Sequence, residues 1–235
     1  MIDKRAYPEN ERQWVFRVLM IVAGFYGGYA MLVRGGVFSN AQTGNLALCA
    51  LALGKGQWQE AAYYVIPISA YLLGCLISEL LTKSLKRNGF MRWETLLILL
   101  EIVAAVIMGF IPATAPHQIC QVIINVICAM QFTTFRQAEG ISMATTFCTN
   151  HIRQIGISLA ALFNRDAEKG EKLRIGGIHG VMVLCFMAGV AGAALACQLM
   201  QIRAIWFVLP LLLILFTDLL RAERKEKGKA VHAGE

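Results

Sequence analysis

Val37-Phe-Ser-Asn-Ala-Gln-Thr-Gly-Asn-Leu46 decides the reading of this chain. It lies between two long apolar runs and is too polar for an ordinary membrane helix. Asn40, Gln42, Thr43 and Asn45 fall within six positions, and the chain then enters the apolar Leu46–Leu53. About 106 residues later comes a partner, Thr145-Thr-Phe-Cys-Thr-Asn-His-Ile152, which also leads into apolar helical sequence. Two polar, bent entries into short helices, one in each half, are a common way to build a substrate path in a membrane protein.

The surrounding sequence has membrane composition. Of 235 residues, 57% are hydrophobic and 16% charged, and the mean hydropathy is +0.57. A soluble domain carries about a quarter charged residues. Spans are expected near Trp14–Val33, Ala61–Leu81, Trp93–Ile111, Gln118–Phe135, Ile175–Leu199 and Ile205–Leu220, each near the roughly 20 residues that cross a bilayer. Leu46–Leu53 and Ile152–Phe163 are too short to cross. The expected fold is an all-α membrane protein of about six transmembrane helices plus two short re-entrant helices. Residues 1–13 form a tail, 14–221 a single membrane domain and 222–235 a basic tail.

Charge sets the topology. If both short helices crossed, the Lys83–Arg92 connection, with Lys86 and Arg87, would face outward, against the positive-inside rule. If both are re-entrant, that connection, the Arg136–Arg174 stretch with Arg165 and Lys169, and the tail with Lys229 all face the cytoplasm. Both termini are then cytoplasmic, and the uncharged Pro112–His117 connection faces out. Three crossings per half is an odd number, so the second half (about 117–221) is inverted relative to the first (about 14–112).

Other classes fit poorly. The net charge of +7 sits between apolar runs and at the tail, without a basic, aromatic-laced surface for nucleic acid. Seven cysteines form no C-x-x-C pair and read as small packing residues. No cleavable signal peptide is recognisable. No G-x-S-x-G, H-E-x-x-H or phosphate-binding loop is present, so neither an enzyme nor a cofactor is expected.

Four pieces carry a family resemblance: Gly24-Phe-Tyr-Gly-Gly-Tyr29, Gly35-Gly-Val-Phe-Ser-Asn-Ala-Gln-Thr-Gly-Asn45, Ala129-Met-Gln-Phe-Thr-Thr-Phe-Arg136 and Ala144-Thr-Thr-Phe-Cys-Thr149. With them the chain resembles the YoaK family of bacterial integral membrane proteins, defined as a domain of unknown function. It departs from the family pattern where Gly27-Gly-Tyr-Ala30 lacks an acid and where the second motif reads Thr149-Asn-His151. The resemblance implies a small inner-membrane permease-like protein and no particular substrate.

The candidate path residues are Asn40, Gln42, Thr43, Gly44 and Asn45 in the first break, Thr149, Asn150 and His151 in the second, and Glu101 in the third span. A helix start presents unpaired N–H groups and partial positive charge, which suits a polar or anionic solute. The plainer reading makes Thr43, Asn45, Thr149 or Asn150 a helix cap. Glu101 lies mid-span, so it should be neutral, paired with Arg136, Arg17 or a path amide, or facing water. Arg136 and Glu139 are expected to pair locally, and His179 to lie at the membrane interface. The function expected is a permease or channel for a small polar or anionic solute. The alternative is an accessory or assembly protein whose breaks bind a partner helix or lipid. A homo-oligomer is compatible with either.

Overall fold

The computed structural model describes residues 7–88, 91–163 and 168–232. Arg165 and the side chains of Lys86, Arg87 and Lys229 lie outside the described part. The architecture is all-α: α1 Gln13–Val33, α2 Gln42–Gly54, α3 Trp58–Asn88, α4 Trp93–Phe110, α5 His117–Thr134, α6 Thr149–Ala160, α7 Lys169–Met200 and α8 Leu209–His232. A 3-10 helix, Gln201–Val208, joins α7 to α8. The only sheet among the described residues is a hairpin between α5 and α6, β1 Gln137–Ala138 and β2 Ile141–Ser142. Its two-residue turn, Glu139-Gly140, has positive φ at both positions, the geometry that matches hairpin twist.

Four stretches are long and apolar enough to cross a membrane: Gln13–Val33, Trp58–Ser84, Trp93–Phe110, and Lys169–Gly228, which covers α7, the 3-10 helix and most of α8. The chain is a multi-pass membrane protein. The surface polarity agrees. Leu72, Leu76, Ile107, Phe110, Leu184 and Leu199 point outward, whereas Arg34, Asn45, Glu101, Gln121, Asn125, Gln131, His151 and His179 are buried. A soluble protein does the reverse with its charged and amide groups. In lipid this arrangement lets polar groups find partners inside the bundle.

α1 is the central helix. Gly24 and Gly28 lie against Phe186, Val190 and Ala193 of α7, and Gly189 of α7 lies against the Ile21 carbonyl. α3 packs on α5 in the same manner, with Gly74 against Val126 and Ala129. Small residues at such crossings let helix backbones approach closely where no hydrophobic driving force acts between helices. α2 rests along α3, where the Cys49 thiol meets the Ala61 carbonyl at 3.5 Å. α6 rests along α7, where Ser158 fills the space over Gly176. α4 packs on α8.

Hydrogen bonds define the two ends of the bundle. At one end Glu139 N–H donates to the Glu11 carbonyl at 2.8 Å, Asn10 donates to Glu94 at 3.4 Å, and Arg92 N–H donates to Glu223 at 3.2 Å. The start of α1, the α3–α4 and α5–α6 connections and the end of α8 therefore share this end. At the other end Gln121 donates to the Arg34 carbonyl at 2.7 Å and to the Tyr63 hydroxyl. Arg34 itself reaches the α4–α5 connection.

Candidate functional site at the two helix breaks

After α1 the chain turns at Arg34-Gly35-Gly36, with both glycines at positive φ, and folds back alongside α1. Asn40 Nδ2 donates to the Ala23 carbonyl at 2.6 Å, halfway along α1. Gly27 is required there, because a Cβ would strike the Asn40 amide. α2 begins at Gln42, four residues before the apolar run, so Gln42, Thr43, Gly44 and Asn45 form its first turn instead of a loop ahead of it. Gln42 donates to Asn125 at the midpoint of α5, 2.7 Å. α2 then returns to the end it came from, beside Ala61.

Asn45 is fully buried and acts as a staple. Its Nδ2 donates to the Phe38 carbonyl at 2.7 Å and to Gln42 at 2.9 Å, and its Oδ1 accepts from Phe38 N–H at 3.2 Å. The Phe38 ring covers Gly44, where a Cβ would meet it. Neither Thr43 nor Asn45 caps α2, whose start has no side-chain cap.

The second break repeats these features from the opposite end. His151 is fully buried, and its Nε2 donates to the Ala144 carbonyl at 2.9 Å, seven residues back, as Asn45 does to Phe38. The α6 start also lacks a side-chain cap, so Thr149 and Asn150 do not fill that role. Burial agrees position by position: Ser39–Asn45 and Thr145–His151 both run buried, buried, half-buried, half-buried, exposed, half-buried, buried. The exposed position is Thr43 in one and Thr149 in the other. The buried residues of α2 are Asn45 and Ala52, and those of α6 are His151 and Ser158, at equal spacing.

Both breaks land on α1 and α5. Gln131 of α5 donates to the Thr145 carbonyl at 3.3 Å and to the Leu19 carbonyl at 3.5 Å. Leu19 lies one turn from Ala23 on α1, about 6 Å along the axis, and Gln131 is about 9 Å from Asn125 on α5. A cavity of about 460 Å³, lined by Phe132, Arg136, Ser142, Phe147 and Asn150, opens beside the α6 start.

A family model described as a protein of unknown function, DUF1275, matches residues 15–217. The chain belongs to the DUF1275 family. This agrees with the YoaK-like motifs, which supply Gly27, Asn40, Gly44 and Asn45 to the geometry above. No curated protein and no solved structure matches the chain.

In this DUF1275 protein several expected side-chain partnerships take another form. Arg136 does not pair with Glu139. It bonds Glu79 on α3 at 3.0 Å, while Glu139 accepts from the Gln13 side chain at 2.7 Å and joins the hairpin to the start of α1. The hairpin turn faces the α1 terminus, which separates the two residues. His179 is not interfacial: it is buried and its Nδ1 stands 2.7 Å from Nδ1 of His151. Glu101 is buried, and neither carboxyl oxygen has a hydrogen-bond partner among the described residues. None of Arg136, Arg17 or a break amide reaches it. The Tyr26 hydroxyl is the polar group beside it, short of full hydrogen-bond geometry.

Sequence reading missed Arg34. It is fully buried without a carboxylate. Nε donates to Tyr29 at 2.9 Å, and the guanidinium donates to the Met108, Ile111 and Pro112 carbonyls at 3.2, 2.9 and 3.4 Å. A cation there meets the partial negative charge of the α4 C-terminus. Its signal is a lone arginine directly after an apolar helix, which also fits a plain helix stop.

Proposed function

We propose that this protein is an inner-membrane permease or channel of six spans in two inverted halves, passing a small polar or anionic solute between the two breaks. The landing of both polar re-entries on the same stretch of α1 and α5 carries this reading. The matched burial of the two breaks, the matched staples and the symmetric pairings α1–α7 and α5–α3 support inversion. The shared end for the α1 start, the α3–α4 connection and the α8 terminus supports an even number of crossings, with both termini cytoplasmic.

The roles divide as follows. Asn40, Gln42, Asn45 and His151 hold the breaks together. Thr43, Thr149 and Asn150, on uncapped first turns, offer hydroxyls, an amide and helix N–H groups to the solute. Glu101, unpaired in the interior, is the acid of the path. The cavity at Asn150 and Arg136 is its cytoplasmic mouth. Uptake of labelled small anions and polar solutes into proteoliposomes tests this. Concentrative or dissipative uptake that falls with Thr43→Val and Thr149→Val is expected. A folded protein that moves no such solute would favour the accessory reading, in which the outward faces of α2 and α6 receive a partner helix.

A further inference from the structure

The two breaks differ in one chemical respect. Where the first is stapled by the neutral amide of Asn45, the second is stapled by His151, and that imidazole also reaches a second buried imidazole on α7. The ring centroids of His151 and His179 stand 4.9 Å apart. The contact joins the first turn of α6 to the helix it rests on.

Its geometry fixes the protons. The Ala144 carbonyl can only accept, so His151 Nε2 carries a hydrogen. Neutral His151 then presents a lone pair at Nδ1, and at 2.7 Å His179 must donate from its own Nδ1. His179 Nε2 is left as the basic nitrogen of the pair. A proton added there makes an imidazolium whose Nδ1–H still donates to His151. Every contact survives, and the shared bond becomes charge-assisted. A second proton can go only to His151 Nδ1. It would set two N–H donors and two positive charges face to face.

We propose that His151 and His179 form a single proton-binding site: the pair takes one proton without rearrangement and a second one parts α6 from α7. The charged side chains of α6, of α1 and of α7 beyond its first turn bond elsewhere. Arg153 on α6 bonds Asn150, Arg174 on α7 bonds Glu171, and Arg17 on α1 bonds Gln13. Cys148, just ahead of α6, and Cys185 on α7 are thiols. Among the described residues, the polar contacts of His151 are the Ala144 carbonyl and the His179 ring. If the path reading holds, this pair makes the second break the proton-responsive one, and the first break, held by an amide, the fixed one.

The site is read without any transport assay, by nitrogen-15 NMR of the full chain in lipid vesicles across a pH series. The expected result is a nitrogen–nitrogen coupling across the hydrogen bond between the two Nδ1 atoms, kept through uptake of the first proton and lost with the second. His151→Asn, which places the first half's amide in the second, should turn His179 into an ordinary single titration. Two rings that titrate independently in the wild-type chain, or no such coupling at any pH, would overturn the proposal. Should His151→Asn fail to fold, the wild-type series alone decides. A coupled pair in a protein that moves no solute would sink the permease reading and leave the proton site standing.

Discussion

Asn45, itself fully buried, holds both main-chain groups of Phe38. Asn45→Leu leaves the Phe38 N–H and C=O without these partners, together a loss of about 1 to 3 kcal/mol. The variant should lower the midpoint of thermal unfolding in detergent clearly, while Thr43→Val, on an exposed side chain, should leave it unchanged. Equal midpoints for the two variants would remove the staple. Arg34 takes the same argument further. Arg34→Met leaves the Ile111 carbonyl without a donor, while those of Met108 and Pro112 keep the Ile111 and Ala115 N–H groups, a loss of about 1 to 3 kcal/mol. Arg34→Lys should recover only part of it, because an ammonium cannot fork to spaced carbonyls. Full recovery by lysine would mean that charge alone matters there.

At the scale of helices, the glycines sort into two kinds. Gly24, Gly74 and Gly189 lie where a Cβ would meet the backbone of a neighbouring helix. Alanine at any of them should cost about 1 to 3 kcal/mol, because packed helices must move apart. Gly177 and Gly180 on α7 face open space, and alanine there should be neutral or stabilise by up to about 1 kcal/mol. Thermal unfolding of the five variants separates the sets; a uniform response would contradict the packing. Much at this scale was legible in the sequence. Hydropathy placed α1, α4 and α5 to within a residue or so. The start of α2 was not legible. Gln42, Thr43 and Asn45 look like loop residues by composition, yet tertiary bonds from Asn45 and Gln42 let them open a helix. The side-chain partners also escaped the sequence. Glu139 and Arg136 are neighbours along the chain, but the hairpin turns one to Gln13 and the other to Glu79. Nothing local in the sequence reports the meeting of His151 with His179.

For the molecule as a whole, the proposed path depends on two interruptions reaching one interior region from opposite ends. Thr43→Val and Thr149→Val should each reduce uptake several-fold in proteoliposomes while leaving stability intact, since neither hydroxyl bonds the scaffold. Glu101→Gln keeps the shape of the buried acid and removes its proton chemistry; uptake by the variant should lose the pH dependence of the parent. An identical pH profile would take Glu101 out of the path. All of this requires that α2 and α6 turn back and do not cross. Labelling of single cysteines in intact cells tests that directly, in a background lacking the native cysteines. Cysteine at Lys55 should react with a membrane-impermeant maleimide from outside, while cysteines at Glu139 and Lys225 should react only after the membrane is opened. Protection of positions 55 and 225 together with outside labelling of position 139 would make both short helices true crossings and contradict the account.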